Sequence, residues 1–255
     1  MSELISLSFN PEIVSNQMLS AVSLDSPEKL AQAEKAFFER VGHEAINRSG
    51  QFVVTLCGGR APKPLFQLLR DSELDWSKVH LFWGDERPPR PDTGQTNFEA
   101  ASEGLLQYID IPAENVHQID VKSPNHQQVA ESYIEEIKFV LGPKPQFDLM
   151  VIGGGGQGQM DGHMMGIMRN SEIFDRPNLN LVEVVSREDT GFGYTMTPKV
   201  LASARQVLVL LPGQEKLADV RKLIETVEGG ANYPIGLLNS LAAGKVVVMT
   251  DQPIT

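Results

Sequence analysis

Three short clusters in this chain combine residue types that are costly to keep unless they meet something polar. The first is Cys57-Gly58-Gly59-Arg60-Ala61-Pro62. Glycines directly behind an apolar run allow a tight turn that presents backbone N–H groups to an anion, and Arg60 can add a two-pronged phosphate contact. A plain strand-to-helix turn with a surface arginine explains the same residues, since two glycines alone carry little information. The second cluster is Trp83-Gly84-Asp85-Glu86-Arg87. An unpaired buried carboxylate is expensive, so consecutive charges behind an apolar run need partners or water. In a cleft, Asp85 would orient a water or a sugar hydroxyl and Arg87 would balance its charge; a solvated loop with internal ion pairs explains them equally well. Asn97, further along, is placed to hydrogen-bond a ligand from a loop or helix start. The third cluster is the glycine run 153–156 followed by Gln157-Gly158-Gln159-Met160-Asp161-Gly162-His163. A histidine ending such a run has little local packing reason to exist, and its ordinary pKa of about 6.5 suits general-base work. Asp161 can set its orientation. His43, His80, His117 and His126 lie in helical or strand-edge contexts and are read as structural.

These clusters must be positioned by the elements around them. Apolar runs at 52–57, 79–83, 148–152, 207–211 and 245–249 are short, and several are rich in β-branched residues. Between them lie amphipathic stretches that predict helices at 30–41, 64–69, 98–108, 127–141 and 215–225, the first capped by Ser26-Pro27-Glu28. Strand, glycine-rich or acidic turn, then helix, repeated, predicts an α/β fold: a doubly wound, mostly parallel sheet with helices on both faces. Continuous apolar strands agree with burial on both sides. Neither a linker nor an internal repeat is visible, so one domain over 1–255 is expected. Ligands of such sheets sit at the carboxyl ends of the strands, where all three clusters fall.

The formal net charge of −11 argues against nucleic-acid or anionic-membrane partners, yet leaves room for a small anion in a locally positive site. The lone cysteine, Cys57, excludes an intrachain disulfide and fits a reducing compartment. No leader-like segment and no apolar run of about 18 residues is present, so a cytoplasmic protein is expected. Scattered histidines and one cysteine give no metal-binding spacing. The glycine run lacks the pattern of a dinucleotide site, and no Gly-x-Ser-x-Gly nucleophile turn occurs.

In order along the chain, the clusters resemble the 6-phosphogluconolactonase family and, more distantly, the glucosamine-6-phosphate isomerases that share its fold. Gly58-Gly59 with Pro62 resembles the family's phosphate loop. Asp85-Glu86-Arg87 with Asn97 resembles its Asp-Glu-Arg and asparagine, and Asp161-Gly162-His163 its Asp-Gly-His. Thr195-Met196-Thr197 and the segment from Leu211 to Lys216 resemble its later motifs. The resemblance implies lactone hydrolysis of a small phosphorylated sugar, with His163 as general base, Arg87 stabilising the oxyanion, Asp85 and Asp161 orienting, and Lys216 on the phosphate. It implies neither a metal nor an organic cofactor. Amino-sugar-phosphate isomerases carry Tyr or Trp where this chain has Arg87, which favours the lactonase over an isomerase or deaminase.

The chain also departs from the pattern. Asp161 stands six residues beyond Gly155 where the family spaces it by two, and hydroxyl residues are missing after His163. Such a lengthened loop would displace His163, which motivates a third reading, a weakened sugar-phosphate-binding homologue. The family's phosphate arginine two residues before Thr195 is replaced by Gly193. Arg60 is expected to supply the missing contact, with Arg187 and Lys199 as competitors.

Overall fold

A computed structural model describes residues 12–15, 19–90, 94–154, 164–167, 171–174, 176, 179–225, 238 and 246–254. Its main sheet has the order β1-β2-β10-β9-β6-β3-β4. The strands are β1 (Glu12–Ser15), β2 (Leu19–Ser23), β3 (Phe52–Leu56), β4 (Val79–Trp83), β6 (Leu149–Gly153), β9 (Gln206–Leu210) and β10 (Val246–Thr250). All pairings from β2 to β4 are parallel, and β1 closes the edge antiparallel to β2. The expected parallel α/β sheet is present; the β1–β2 edge was not foreseen.

Successive residues of the central strands point to opposite faces, and both faces are dry. Val53, Met150, Val207 and Val248 enter one core with α4 (His126–Leu141), α5 (Pro198–Ser203) and α6 (Leu217–Glu225). Val54, Val151, Leu208 and Met249 enter the other with α1 (Pro27–Ser49), α2 (Lys63–Leu69) and α3 (Asn97–Gly104). The strands therefore read as continuous rather than alternating apolar runs.

Helix ends follow local chemistry. Ser26 caps α1, accepting from the Lys29 amide, and Pro27 opens it. The helix outruns the expected stretch because its buried stripe of Leu30, Phe37 and Val41 continues to Ala45, and it stops at Gly50 with φ of 81°. The helix expected over 98–108 is shorter: α3 ends at Gly104 and a separate tight turn covers Leu106–Tyr108. After β9, the tight turn Gln214–Lys216 precedes α6, which therefore starts two residues later than expected.

A second sheet, of order β5-β8-β7, was not anticipated: β5 (Asp85–Glu86), β8 (Gly191–Met196) and β7 (Val182–Arg187), all antiparallel. Its strands alternate, so no apolar run announces them. One face carries Val182, Tyr194 and Met196 into the core, with His126 stacked on Phe192 at 3.7 Å. By register, Asp85, Thr195, Gly193 and Arg187 share the other face.

Candidate active site

The parallel strands deliver their carboxyl ends to one edge. Chain order reverses direction between β3 and β6, since β4 lies on one side of β3 and β6 on the other. Such a switch point opens a crevice in a doubly wound sheet. Here the turns after β3 and β6 come together: a Cβ added at Gly153 would stand 3.5 Å from Cys57 Sγ and 3.7 Å from the Gly58 carbonyl oxygen. Cys57 lines this point as packing, because burial pushes its thiol far up and keeps it protonated.

Asn97 ties the clusters together. Its Nδ2 donates to the Asp85 carbonyl at 2.8 Å. Its Oδ1 lies so close to Gly58 that a Cβ there would fall 1.8 Å away. Gly58 is thus required by close approach, and Gly59 by a left-handed backbone with φ of 84°. Sequence reasoning expected Asn97 to face a ligand; it is buried and braces the first cluster against the second.

Glu86 is the residue that sequence reasoning passed over. It is buried, and its carboxylate accepts from three backbone amides: Asn97 at 2.8 Å, Arg87 at 2.9 Å and Phe98 at 2.7 Å. Two of these are unpaired first-turn donors of α3, and Thr96 with Glu99 completes the end as a capping box. Burial pushes the Glu86 carboxyl up to about 7, against those three amides, which pull it down. The Asp-Glu-Arg segment is therefore a strand end clamped to a helix, not a solvated loop. Arg87 is buried beside it and donates from Nη1 to the Gln95 carbonyl at 3.1 Å. Burial pulls the Arg87 guanidinium down; Glu86 and Asp85 hold it up, and Arg187 and Arg90 repel it. Asp85 is half-buried, facing Thr195 across the strand pair.

Asp161 and His163 lie outside the described residues, as does most of the lengthened loop. Its two ends do not. Gly154 forms an antiparallel bridge with Met164, the residue after His163, so the excursion closes at a neck at the end of β6. Beyond the neck, Met164 and Ile167 exchange backbone hydrogen bonds of 3.1 and 2.9 Å. Between them Met165 and Gly166 both have positive φ, 51° and 73°, as a tight two-residue hairpin turn demands. The Thr195 hydroxyl donates to the Met165 carbonyl and fixes this turn on the second sheet. Met164 and Met165 are buried as core.

Of the other expected residues, Arg60 is exposed in the turn after β3, and Lys216 is buried at the end of the turn after β9. That turn starts from Gly213, whose φ is 92° and whose amide donates to Asp251 at 2.7 Å. Arg187, in the sequence a competitor of Arg60 for the missing contact, is buried on the site-facing side of β7, with Nε and Nη2 on the Asp189 carboxylate at 3.0 and 3.1 Å. The arrangement provides a dry, cation-bearing wall and several tightly turned glycine loops at one strand edge.

Comparison with known proteins agrees with this architecture. Residues 25–248 match the family described as glucosamine-6-phosphate isomerases/6-phosphogluconolactonase. The chain is 29% identical over 216 residues to the 6-phosphogluconolactonase of a Synechocystis strain, covering 82% of this chain and 85% of that protein. It is 30% identical over 177 residues to the 6-phosphogluconolactonase of Haemophilus influenzae, covering 68% and 73%. In fold it matches the 6-phosphogluconolactonase of Trypanosoma cruzi with a TM-score of 0.75 at 24% identity, over 92% of this chain and 94% of that one. A family match spanning most of the residues, and a relative at 30% identity over two thirds of the chain, lead to one conclusion: the chain belongs to the glucosamine-6-phosphate isomerase/6-phosphogluconolactonase family.

Proposed function

We propose that this chain hydrolyses 6-phosphogluconolactone to 6-phosphogluconate, a step of the pentose phosphate pathway. One observation supports the reading above all: a buried cation, Arg87, stands on the site wall next to Asp85. A cation there favours chemistry in which negative charge builds on oxygen, as when water adds to a lactone carbonyl. It disfavours an isomerase in which Asp85 must remove a proton from carbon, because a neighbouring cation lowers a carboxylate's basicity.

In this scheme His163 takes a proton from water as the water oxygen bonds to the carbonyl carbon. Arg87 and backbone amides of the glycine loops stabilise the oxyanion. The tetrahedral adduct then collapses, the bond to the ring oxygen breaks, and that oxygen takes the proton back from the imidazolium. The carboxylic acid formed loses its proton to solvent. Asp85 and Asp161 orient sugar hydroxyls or the imidazole; Gly58, Gly59 and Lys216 receive the phosphoryl group; Asn97 keeps the loops in register. The scheme uses neither metal nor organic cofactor. Its partner is a small phosphorylated sugar lactone, not nucleic acid or a membrane surface. Among the described residues no helix is long and apolar enough to cross a membrane, and the single cysteine suits the cytoplasm.

The test is lactone hydrolysis by the wild-type chain and by His163→Ala, with spontaneous hydrolysis subtracted. Loss of the general base is expected to lower kcat by about 10²–10⁴. Release of ammonia from glucosamine 6-phosphate, with no lactone turnover, would sink the reading.

A further inference from the structure

Gly193 faces the site from β8, and the space above it is filled from the neighbouring strand. A Cβ added at Gly193 would stand 2.8 Å from Arg187 Cδ and 3.5 Å from Arg87 Cβ. The register explains the encounter. Arg187 pairs with Gly191, so Gly193 is its diagonal neighbour on the same face, and Arg87 continues β5 to a place opposite Gly193. The Arg187 stem therefore crosses the glycine: a side chain at 193 would collide with it, crowd the Glu86 carbonyl at 3.1 Å and touch Arg87 at ordinary contact distance.

The two guanidiniums stay near each other while largely buried, at 6% exposure for Arg87 and 9% for Arg187. They repel, and Arg90 adds to the repulsion. Gathering like charges out of water is unfavourable in the free protein, and more conspicuous in a chain of net charge −11. Asp189 takes Nε and Nη2 of Arg187, which fixes the plane of the guanidinium. Its Nη1 is directed elsewhere, toward the turn after His163: the point where a Gly166 Cβ would stand is 3.3 Å from Arg187 Nη1 and 3.4 Å from Asp85 Oδ2. A planar donor held by a second carboxylate and aimed into a crevice is how an arginine is prepared for an oxyanion.

We propose that Arg187 is a substrate-binding residue, which receives the phosphoryl group beside Arg87 at the reacting carbonyl and sets the preference for a phosphorylated lactone. The role expected of Arg60 from the sequence thus passes to Arg187, because Arg187 is the side chain that lies over Gly193 while Arg60 is exposed in another turn. The proposal rests on the lactonase reading for its substrate, though not for its anion.

The decisive measurement compares the phosphorylated lactone with unphosphorylated gluconolactone in wild type, Arg187→Met, Arg187→Lys, Asp189→Asn and the double variant Arg187→Ala/Gly193→Arg. For Arg187→Met, KM for the phosphorylated lactone is expected to rise at least about tenfold, as loss of a charge-assisted contact implies, with kcat changing less than about threefold. Its kcat/KM for gluconolactone stays within about twofold, and Arg187→Lys falls between. The double variant recovers part of the KM, since removing the Arg187 stem relieves the closest of the contacts that a side chain at 193 would make and leaves the Glu86 carbonyl at 3.1 Å. Inorganic phosphate, titrated by calorimetry, binds wild type at least about tenfold tighter than Arg187→Met. An unchanged KM in a folded Arg187→Met protein overturns the proposal. So does an equal loss on both lactones reproduced by Asp189→Asn, the mark of a purely structural ion pair. If Arg187→Met does not fold, Arg187→Lys and the double variant decide alone. If wild type hydrolyses neither lactone, the lactonase reading falls, and the phosphate titration still decides the role of Arg187.

Discussion

At the scale of single residues, the site depends on close approaches that leave no slack. Gly58→Ala sets a methyl group 1.8 Å from the Asn97 side-chain oxygen, and Asn97 is itself fixed to Asp85. We expect at least about 2 kcal/mol of destabilisation and a clear fall in kcat, measured by thermal melting and lactone turnover. Glu86→Gln replaces a carboxylate that accepts three amide hydrogen bonds by a group with one acceptor oxygen and two N–H donors. One amide then faces a donor, and we expect about 1–3 kcal/mol of lost stability from urea titration. The places of Asp85 and Arg87 just behind a strand, and of Asn97 at a helix start, are legible in the sequence; the brace that Asn97 forms is not. The part played by Glu86 was not, because the amides of Asn97 and Phe98 that it accepts from lie 11 and 12 residues along the chain. Nothing in composition or spacing distinguishes a buried capping carboxylate from an exposed one.

At the scale of elements, the crevice is held by contacts between layers. Tyr133 of α4 both donates to the Trp83 carbonyl, at 3.1 Å, and accepts from the Trp83 amide, at 2.7 Å. It thereby secures the backbone where β4 hands over to β5. Tyr133→Phe leaves two buried backbone groups without a partner. We expect about 1–3 kcal/mol of destabilisation, and faster hydrogen exchange at the β4–β5 junction than elsewhere in β4. The main sheet was legible because its strands are apolar on both faces. The second sheet was not: Gly-Phe-Gly-Tyr-Thr-Met has the period of a half-buried strand but is short and carries two glycines. Those glycines read as a weak strand in isolation, and in the sheet one of them, Gly193, is the room that the Arg187 stem occupies.

At the scale of the whole molecule, two carboxyls give stability a pH dependence. Burial pushes Glu34 of α1 up to about 8, with Asp251 adding repulsion, and Glu86 up to about 7. Each folded-state value exceeds the unfolded value of 4.5, so the folded chain binds protons more tightly. Their contribution is fully present below that value and is lost as pH rises to about 7 and about 8. Glu34→Gln removes the larger share, since Glu34 has the higher folded value and an oxygen without a hydrogen-bond partner. The variant is expected to melt at least about 4 °C above wild type at alkaline pH, with the gap closing under acid conditions. A gap that is constant across pH would contradict the assignment. The neck formed by Gly154 and Met164 has an effect on the same scale. With its ends held together, lengthening the intervening chain costs little, roughly 0.6 kcal/mol for each doubling. Asp161 and His163 thus belong to a stretch whose two ends are pinned together at Gly154 and Met164, so a change in its length leaves the strand before it and the turn after it in place.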